Sequence, residues 1–280
     1  MRIWLFYIIL NIFAQFFVMN VLTTLHDMRY NTTDRLEVMN NPVTLLNKDM
    51  FDVFPSLQES SVHAIITDFP YGTLNKKRNL WDEVIDYYKF WVEVKRILVP
   101  NGVVVSTAQQ PFTSHLISTN YKDFKYNLVW EKSKATGYLN AKKQPMRAHE
   151  DIVVFYEKQC TYNPQMTVGD PYDKGTAVRD TQHYGEQTKA THVKSNGERY
   201  PRSVQYFKTA ESEGKLHPTQ KPIALYEWLI KTYTNEGDTV LDPCMGSGTT
   251  GVACKNLSRD FIGIERDDEY FNVSFDRLTE

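Results

Sequence analysis

Three glycines, Gly246, Gly248 and Gly251, stand in the spacing G-x-G-x-x-G directly after the apolar run "TVLD", and Glu265 ends the next apolar run, "DFIGIE". Glycines at this spacing let a backbone turn tightly from strand to helix and approach a ligand closely, and a carboxylate one strand later can accept both hydroxyls of a ribose. An adenosine-containing cofactor is implied. Asp242, just before the loop, suits a ligand carrying an ammonium group better than a pyrophosphate, which is repelled by a neighbouring carboxylate. The loop also lies close to the carboxyl end of the chain, whereas a dinucleotide-binding domain opens with it. S-adenosylmethionine, with its ammonium, ribose and adenine, is thus favoured over NAD; an NAD-dependent oxidoreductase is the alternative. A second group of reactive types closes the run "AIITDFPYG", Ala64 to Gly72, with a carboxylate (Asp68), two backbone carbonyls near Pro70, and the Tyr71 ring.

Both groups need strands that end where they begin. Ala64 to Ile66 read as a buried strand stopped by Asp68, Pro70 and Gly72, so the polar tip stands at the strand's carboxyl end, where open α/β sheets hold their ligands. Upstream, "PVTLLNKD" reads as a strand ending near Lys48 and Asp49, and "WDEVIDYYKFWVEVKRILVPNG" as a helix closed by Pro100 and Gly102. "GVVVSTA" reads as the next strand, and "FKYNLVWEK" and "HEDIVVFYEK" as two edge strands separated by a basic loop. "KPIALYEWLIKTYTNEGD" is a helix with Ile223, Tyr226, Ile230 and Tyr233 on one face, stopped by Gly237. Alternating strands and helices imply an α/β, doubly wound, mostly parallel Rossmann-like sheet.

The distribution of charge marks a further region. Over 280 residues the formal charge is −2, so the whole chain has no basic signature. It is unevenly spread: 12 basic and 12 acidic residues from Met1 to Trp130, 15 and 11 from Glu131 to Lys221, and 5 and 11 from Pro222 to Glu280. The basic middle, poor in long apolar runs, reads as an insertion. Cys160, Cys244 and Cys254 are odd in number and too scattered for a disulfide framework or a metal-ligand cluster, which suits a reducing cytoplasm and no metal.

"TDFPYG", "HPTQKP" and "LDPCMGSGTTG" followed by "GIERDDEY" together resemble the catalytic, amino-proximal and cofactor motifs of amino-directed DNA methyltransferases. Their order is that of the family's beta arrangement: catalytic motif first, target-recognition region in the middle, cofactor motif last. The stretches "GYLNAKKQPMRAHEDIVVFY" and "RYPRSV" further resemble phage and prophage adenine methyltransferases. The resemblance implies residues 39–130 as the catalytic half of the core, 131–215 as edge strands and target-recognition insertion, and 216–280 as the cofactor half. It places Asp68, Phe69, Pro70 and Tyr71 in the catalytic motif. The Asp68 carboxylate and the Phe69 carbonyl would accept the two hydrogens of an exocyclic amino group, and Tyr71 would receive a base turned out of the duplex. It places Asp242, Gly246 and Gly248 around the methionine part of S-adenosylmethionine, Glu265 on the ribose, Asp49 on the adenine amino group and Lys221 beside the same pocket. The partner implied is double-stranded DNA, with Lys132, Lys134, Lys142, Lys143 and Arg147 as phosphate-tracking candidates and Arg199 and Arg202 contacting phosphate or base. A homodimer is compatible with this scheme.

The chain departs from the family at Phe69, where proline is usual. A carbonyl can still accept there, but the locked φ of proline is lost, which leaves an inactive DNA-binding relic as a further alternative. Aspartate at 68 favours adenine over cytosine, whose enzymes more often resemble Ser-Pro-Pro-Tyr. The uncharged run Ile3 to Leu25 is long enough to span a bilayer. It has a weak positive flank and no small-residue cleavage site, so residues 1–38 are expected to be a dispensable hydrophobic extension rather than a membrane anchor.

Overall fold

The structure, a computed structural model, describes residues 35–38, 41–73, 82–177, 191–214, 216 and 219–279. The hydrophobic amino-terminal run lies outside the described residues. No helix among the described residues is long and apolar enough to cross a membrane.

In chain order, strands β1 (Arg35–Val38) and β2 (Asn41–Leu46) lead to the short helix α1 (Met50–Val53), and β3 (Val62–Thr67) to α2 (Tyr87–Ile97). Strand β4 (Leu98–Ala108) leads to α3 (Phe112–Thr119), followed by β5 (Phe124–Thr136) and β6 (Arg147–Phe155). Short strands follow: β7 (Thr167–Val168), β8 (Tyr172–Ala177), β9 (Thr191–Ser195), β10 (Glu198–Arg199) and β11 (Val204–Phe207). Helix α4 (Ile223–Tyr233), β12 (Thr239–Asp242), α5 (Thr249–Asn256), β13 (Asp260–Ile264) and α6 (Asp268–Thr279) close the chain.

Nine strands make one sheet in the order β1-β2-β13-β12-β3-β4-β6-β5-β11. The pairs β2–β13, β13–β12, β12–β3 and β3–β4 are parallel, so five neighbouring strands point the same way. From β3 the chain crosses to β4 on one side; from β12 it crosses to β13 on the other. The switch of direction falls between β3 and β12, which opens a crevice beyond their carboxyl ends. Asp68 follows β3 and Asp242 ends β12, so both meet in that crevice.

Each sheet face carries its own apolar layer. Phe54, Ile65, Phe90, Ile97, Val104 and Leu116 pack under α1, α2 and α3, whereas Ala64, Val105, Leu229, Tyr233, Val240 and Ala253 pack under α4 and α5. Helix α2 shows how the sequence drives this. Its buried residues Tyr87, Phe90, Trp91, Val94 and Ile97 recur at helical spacing, and full burial of a side chain such as Phe90 contributes roughly 1.5–3 kcal/mol.

Three local expectations are corrected. Helix α2 begins at Tyr87, because the Asp86 carboxylate accepts from the amides of Tyr88 and Lys89 and fixes the start there. It ends before Pro100 and Gly102, which lie inside the long strand β4. Strands β5 and β6 are not the sheet's edge: β11, too short to announce itself, pairs with β5 in parallel and closes that side. Two small antiparallel ribbons, β7 with β10 and β8 with β9, stand apart from the main sheet within the basic middle.

Candidate active site

Asp68 stands where β3 stops. Its Oδ1 accepts from the Tyr71 hydroxyl at 2.7 Å and from Thr107 Oγ1 at 2.5 Å, and its Oδ2 from Lys221 Nζ at 2.5 Å. The carboxylate is thus aimed by three donors from three segments. The turn behind it is pinned as well, since the Gly72 amide, at a left-handed φ of 67°, donates to Asp82 Oδ1 at 2.8 Å.

Phe69 is anchored by its side chain. The ring is 1% exposed and meets Tyr87 and Phe90 edge to face, with centroids 5.6 and 5.0 Å apart. Packing of this kind restrains the loop where proline would have restrained φ. Tyr71 stacks on Phe112 at 4.7 Å, and the Lys221 ammonium lies 5.6 Å from its ring centroid. Burial, reinforced by the charges of Asp68 and Glu150, pushes the Tyr71 hydroxyl well above its ordinary pKa, so it acts as a neutral donor.

Lys221, expected from the sequence beside the cofactor pocket, lines the same cavity as Asp242 and Glu265. Its ammonium sits between two carboxylates, bonded to Asp68 and 3.5 Å from Glu150 Oε2. Burial alone would lower its pKa, but Asp68 and Glu150 outweigh that and raise it. Glu150 in turn accepts from Lys132 Nζ at 3.1 Å. A buried chain Asp68–Lys221–Glu150–Lys132 therefore alternates in sign. Lys132 is only 8% exposed, which corrects its assignment as a phosphate-tracking residue: its charge is directed inward.

On the other wall, the Asp242 carboxylate is buried and accepts from Thr67 Oγ1 (2.7 Å), Thr250 Oγ1 (2.5 Å) and the Cys244 amide (3.1 Å). Burial pushes its pKa up to about 6 against the opposing effect of those donors. Glu265 Oε2 accepts from the Gly246 amide and its Oε1 from the Asp267 amide, both at 2.9 Å. Burial raises the Glu265 pKa as well, again opposed by those amides. Gly246 and Gly248 take φ of 51° and 76°, conformations that side chains resist. Gly251 serves packing instead, because an added Cβ would lie 2.7 Å from Phe261 Cε1 and 2.8 Å from Leu278 Cδ1; its hydrogen lets α5 pack on β13 and α6. Asp49 caps α1 by accepting from the Phe51 amide at 2.9 Å and leaves its other oxygen 3.8 Å from Arg266. The Cys244 thiol is pushed well up by burial and by Asp242 and Glu265, which leaves it a poor nucleophile.

One cavity of about 1160 Å³ is lined by Asp49, Asp68, Tyr71, Lys221, Asp242 and Glu265 together with Gly246. It exceeds the usual range for a single small ligand, roughly 300–1,000 Å³, so it has room for a cofactor and part of a second molecule. The donor set fits the implied cofactor: buried carboxylates at Asp242 and Glu265 suit an ammonium and ribose hydroxyls, and the left-handed glycine backbone leaves space beside them.

The remaining basic candidates separate. Lys142, Lys143 and Arg147 are exposed, and Arg147 Nη1 donates to Gln109 Oε1. Lys134 is exposed but bonded to both oxygens of Glu211. Arg199 is half-buried, donates to the Asp170 carbonyl and Ser195 Oγ, and lies 4.6 Å over the Tyr172 ring, contacts that tie the two ribbons together. Arg202 lines a separate small cavity near Tyr156 and Trp228. Sequence reasoning missed Thr107, Thr67, Thr250, Phe112 and Glu150. Only Glu150 left a sequence signal, an acid inside the apolar strand pattern "HEDIVVF".

Comparison with known proteins agrees with this geometry. The chain is 29% identical over 247 residues to the type II methyltransferase M.HpaI of Haemophilus parainfluenzae, covering 84% of this chain and 73% of that protein. It is 28% identical over 260 residues to M2.DpnII of Streptococcus pneumoniae, covering 85% and 90%. Among solved structures, the M1.HpyAVI–SAM complex superposes with a TM-score of 0.59 at 27% identity, covering 85% of this chain and all of that one. The cytosine-N4-specific PvuII DNA methyltransferase shares the fold, with a TM-score of 0.60 at 18% identity over 86% of this chain and 87% of that one. A family model described as DNA methylase matches residues 62–276, which hold both the Asp68 turn and the glycine loop; the chain belongs to the amino-directed DNA methylase family.

Proposed function

We propose that this chain is a site-specific DNA methyltransferase acting on the exocyclic amino group of adenine. The observation that carries the reading is the pairing of two carboxylates across the sheet's switch point. Asp68 follows Thr67, whose hydroxyl bonds Asp242, so the residue aimed at the amino group and the one aimed at the cofactor's ammonium are positioned through one side chain.

S-adenosylmethionine is the cofactor, and when bound it supplies an electrophilic methyl group on a sulfonium sulfur. Asp242 and the Gly246–Gly248 backbone hold its methionine part, Glu265 its ribose, and Asp49 its adenine. Asp68 has about four lone-pair positions, of which Tyr71, Thr107 and Lys221 occupy three. The remaining one accepts an amino hydrogen of the base, and the Phe69 carbonyl accepts the other. Two acceptors so placed favour the pyramidal nitrogen that attacks, because the nitrogen lone pair is then withdrawn from the ring. Tyr71, backed by Phe112, receives the base. Adenine is favoured by a carboxylate at position 68. The exposed Lys142, Lys143 and Arg147 supply phosphate contacts, with Arg202 a further candidate.

Incubation with methyl-tritiated S-adenosylmethionine and plasmid DNA, alongside calorimetric titration of the chain with S-adenosylmethionine and with NAD, tests this reading. Label in the DNA and heat only from S-adenosylmethionine are expected. Binding of NAD with no label in the DNA overturns it.

A further inference from the structure

Strands β5 and β6 are joined by a tip that the chemistry described so far leaves unused. Thr136 pairs with Arg147 at the stem, and both line the large cavity. The segment between them therefore projects from the rim of the site that holds Asp68. Every residue from Thr136 to His149 is exposed. Leu139 is 98% exposed and Tyr138 79%, with Met146 at 38%.

The tip is nevertheless ordered by its own backbone. Gly137 turns it with a φ of 90°, a single 3-10 turn covers Tyr138–Asn140, and the amides of Ala141 and Lys143 bond the carbonyls of Tyr138 and Asn140 at 3.0 and 2.8 Å. A fully exposed leucine held at the apex of a hydrogen-bonded turn stays in water unless a partner covers it. The partner's charge is indicated by the same segment, "GYLNAKKQPMR", which holds Lys142, Lys143 and Arg147 and no acid. An apolar apex flanked by cations, at the rim of the cavity that holds Asp68 and Tyr71, matches the chemistry of a base stack bordered by phosphates.

Resting on the methyltransferase reading, we propose that the β5–β6 tip is a wedge for duplex DNA. Leu139 enters the stack beside the target pair and occupies the space the extruded base leaves, while Lys142 and Lys143 hold the flanking phosphates. Removing a base from the stack is costly, and an inserted apolar side chain restores part of that stacking. Leu139 touches neither the cofactor pocket nor Asp68, so it is a positioning residue that acts on the base-paired state of the substrate.

The test first uses the wild-type chain to map the methylated position in plasmid DNA by sequencing. Short duplexes of that sequence are then compared, one fully paired and one with the target base opposite an abasic site. Leu139→Ala is expected to lower kcat/KM roughly tenfold on the paired duplex and to match wild type within about twofold on the abasic one, where no base pair remains to be broken and extrusion is cheap. Leu139→Met is expected to retain activity on both. Equal rates of wild type and Leu139→Ala on the paired duplex overturn the wedge, as does an equal loss on both duplexes. A wild-type chain that methylates nothing in the plasmid overturns the underlying methyltransferase reading and the wedge with it.

Discussion

Lys221 Nζ lies 2.5 Å from Asp68 Oδ2, although 153 residues separate the two in sequence. The contact joins the HPTQKP segment to the Asp68 turn and places a cation against the carboxylate proposed to accept from the substrate. A buried pair of this kind is held by its surroundings: Glu150 and, behind it, Lys132 complete the alternation of sign. Removing one member leaves a buried charge without compensation, a loss of about 3–5 kcal/mol in comparable pairs. Glu150→Gln is therefore expected to lower the unfolding midpoint in urea and to lower methyl transfer together. Unchanged stability and unchanged rate would detach Glu150 from the site.

Asp68→Ala is expected to reduce methyl transfer by about 10²-fold or more, the order seen when a preorganised transition-state contact is deleted. S-adenosylmethionine affinity, measured by calorimetry, should change little, since Asp242, Glu265 and the glycine backbone are untouched. Parallel loss of rate and affinity would contradict the division of labour between the two walls.

Asp242 gives a pH signature. Its folded pKa of about 6 is raised by burial, and a cationic ammonium is bound best by the ionised form. Binding therefore favours proton release, and affinity for S-adenosylmethionine should be constant above about pH 7 and fall below pH 6, approaching tenfold per unit. For the ligand-free chain the sign is opposite: the folded state holds this proton more tightly than the unfolded state, so Asp242 costs stability above pH 6, and the cost fades as pH falls toward 4. Asp242→Asn should weaken cofactor binding at pH 7.5 and flatten its pH dependence. A binding curve flat from pH 5 to 8 in the unaltered chain would contradict the assignment.

How much of this could be read from the sequence depends on whether a feature is local. The glycine loop, its preceding strand and Glu265 form one continuous segment, and the structure keeps them in register, with Gly246 bonded to Glu265. Lys132 misleads because a lysine in a polar stretch looks solvated, and its burial depends on Glu150 arriving on the neighbouring strand. Thr67, Thr107 and Thr250 are invisible for a similar reason: a threonine at a strand end or helix start carries no mark until the fold brings a carboxylate to its hydroxyl. The edge of the sheet is hard to place because β11 is four residues long, with exposed Val204 and Tyr206.

Gly251→Ala separates the structural glycine from the others. A methyl group would press on Phe261 and Leu278 at less than 3 Å, and overpacking of this degree costs typically about 1–3 kcal/mol. Urea unfolding should show that loss, while S-adenosylmethionine affinity under folding conditions stays close to that of the unaltered chain. A stable but non-binding variant would place Gly251 at the ligand instead.

Neutralising Lys142 and Lys143 together should weaken DNA binding on all sequences and reduce the slope of log K against log salt by about 2, since each phosphate left without its cation accounts for about 0.9. Lys132→Met should leave that slope unchanged, because its ammonium is bonded to Glu150. A change of slope in Lys132→Met, or none in the double variant, would reverse the two assignments.

The most direct test is mass spectrometry of nucleosides from plasmid DNA incubated with the chain and S-adenosylmethionine bearing a trideuterated methyl group. Deuterated N6-methyldeoxyadenosine should appear with the unaltered chain and be absent with Asp68→Ala. Label on the amino group of deoxycytidine, or equal label from both proteins, would contradict an adenine methyltransferase built around Asp68.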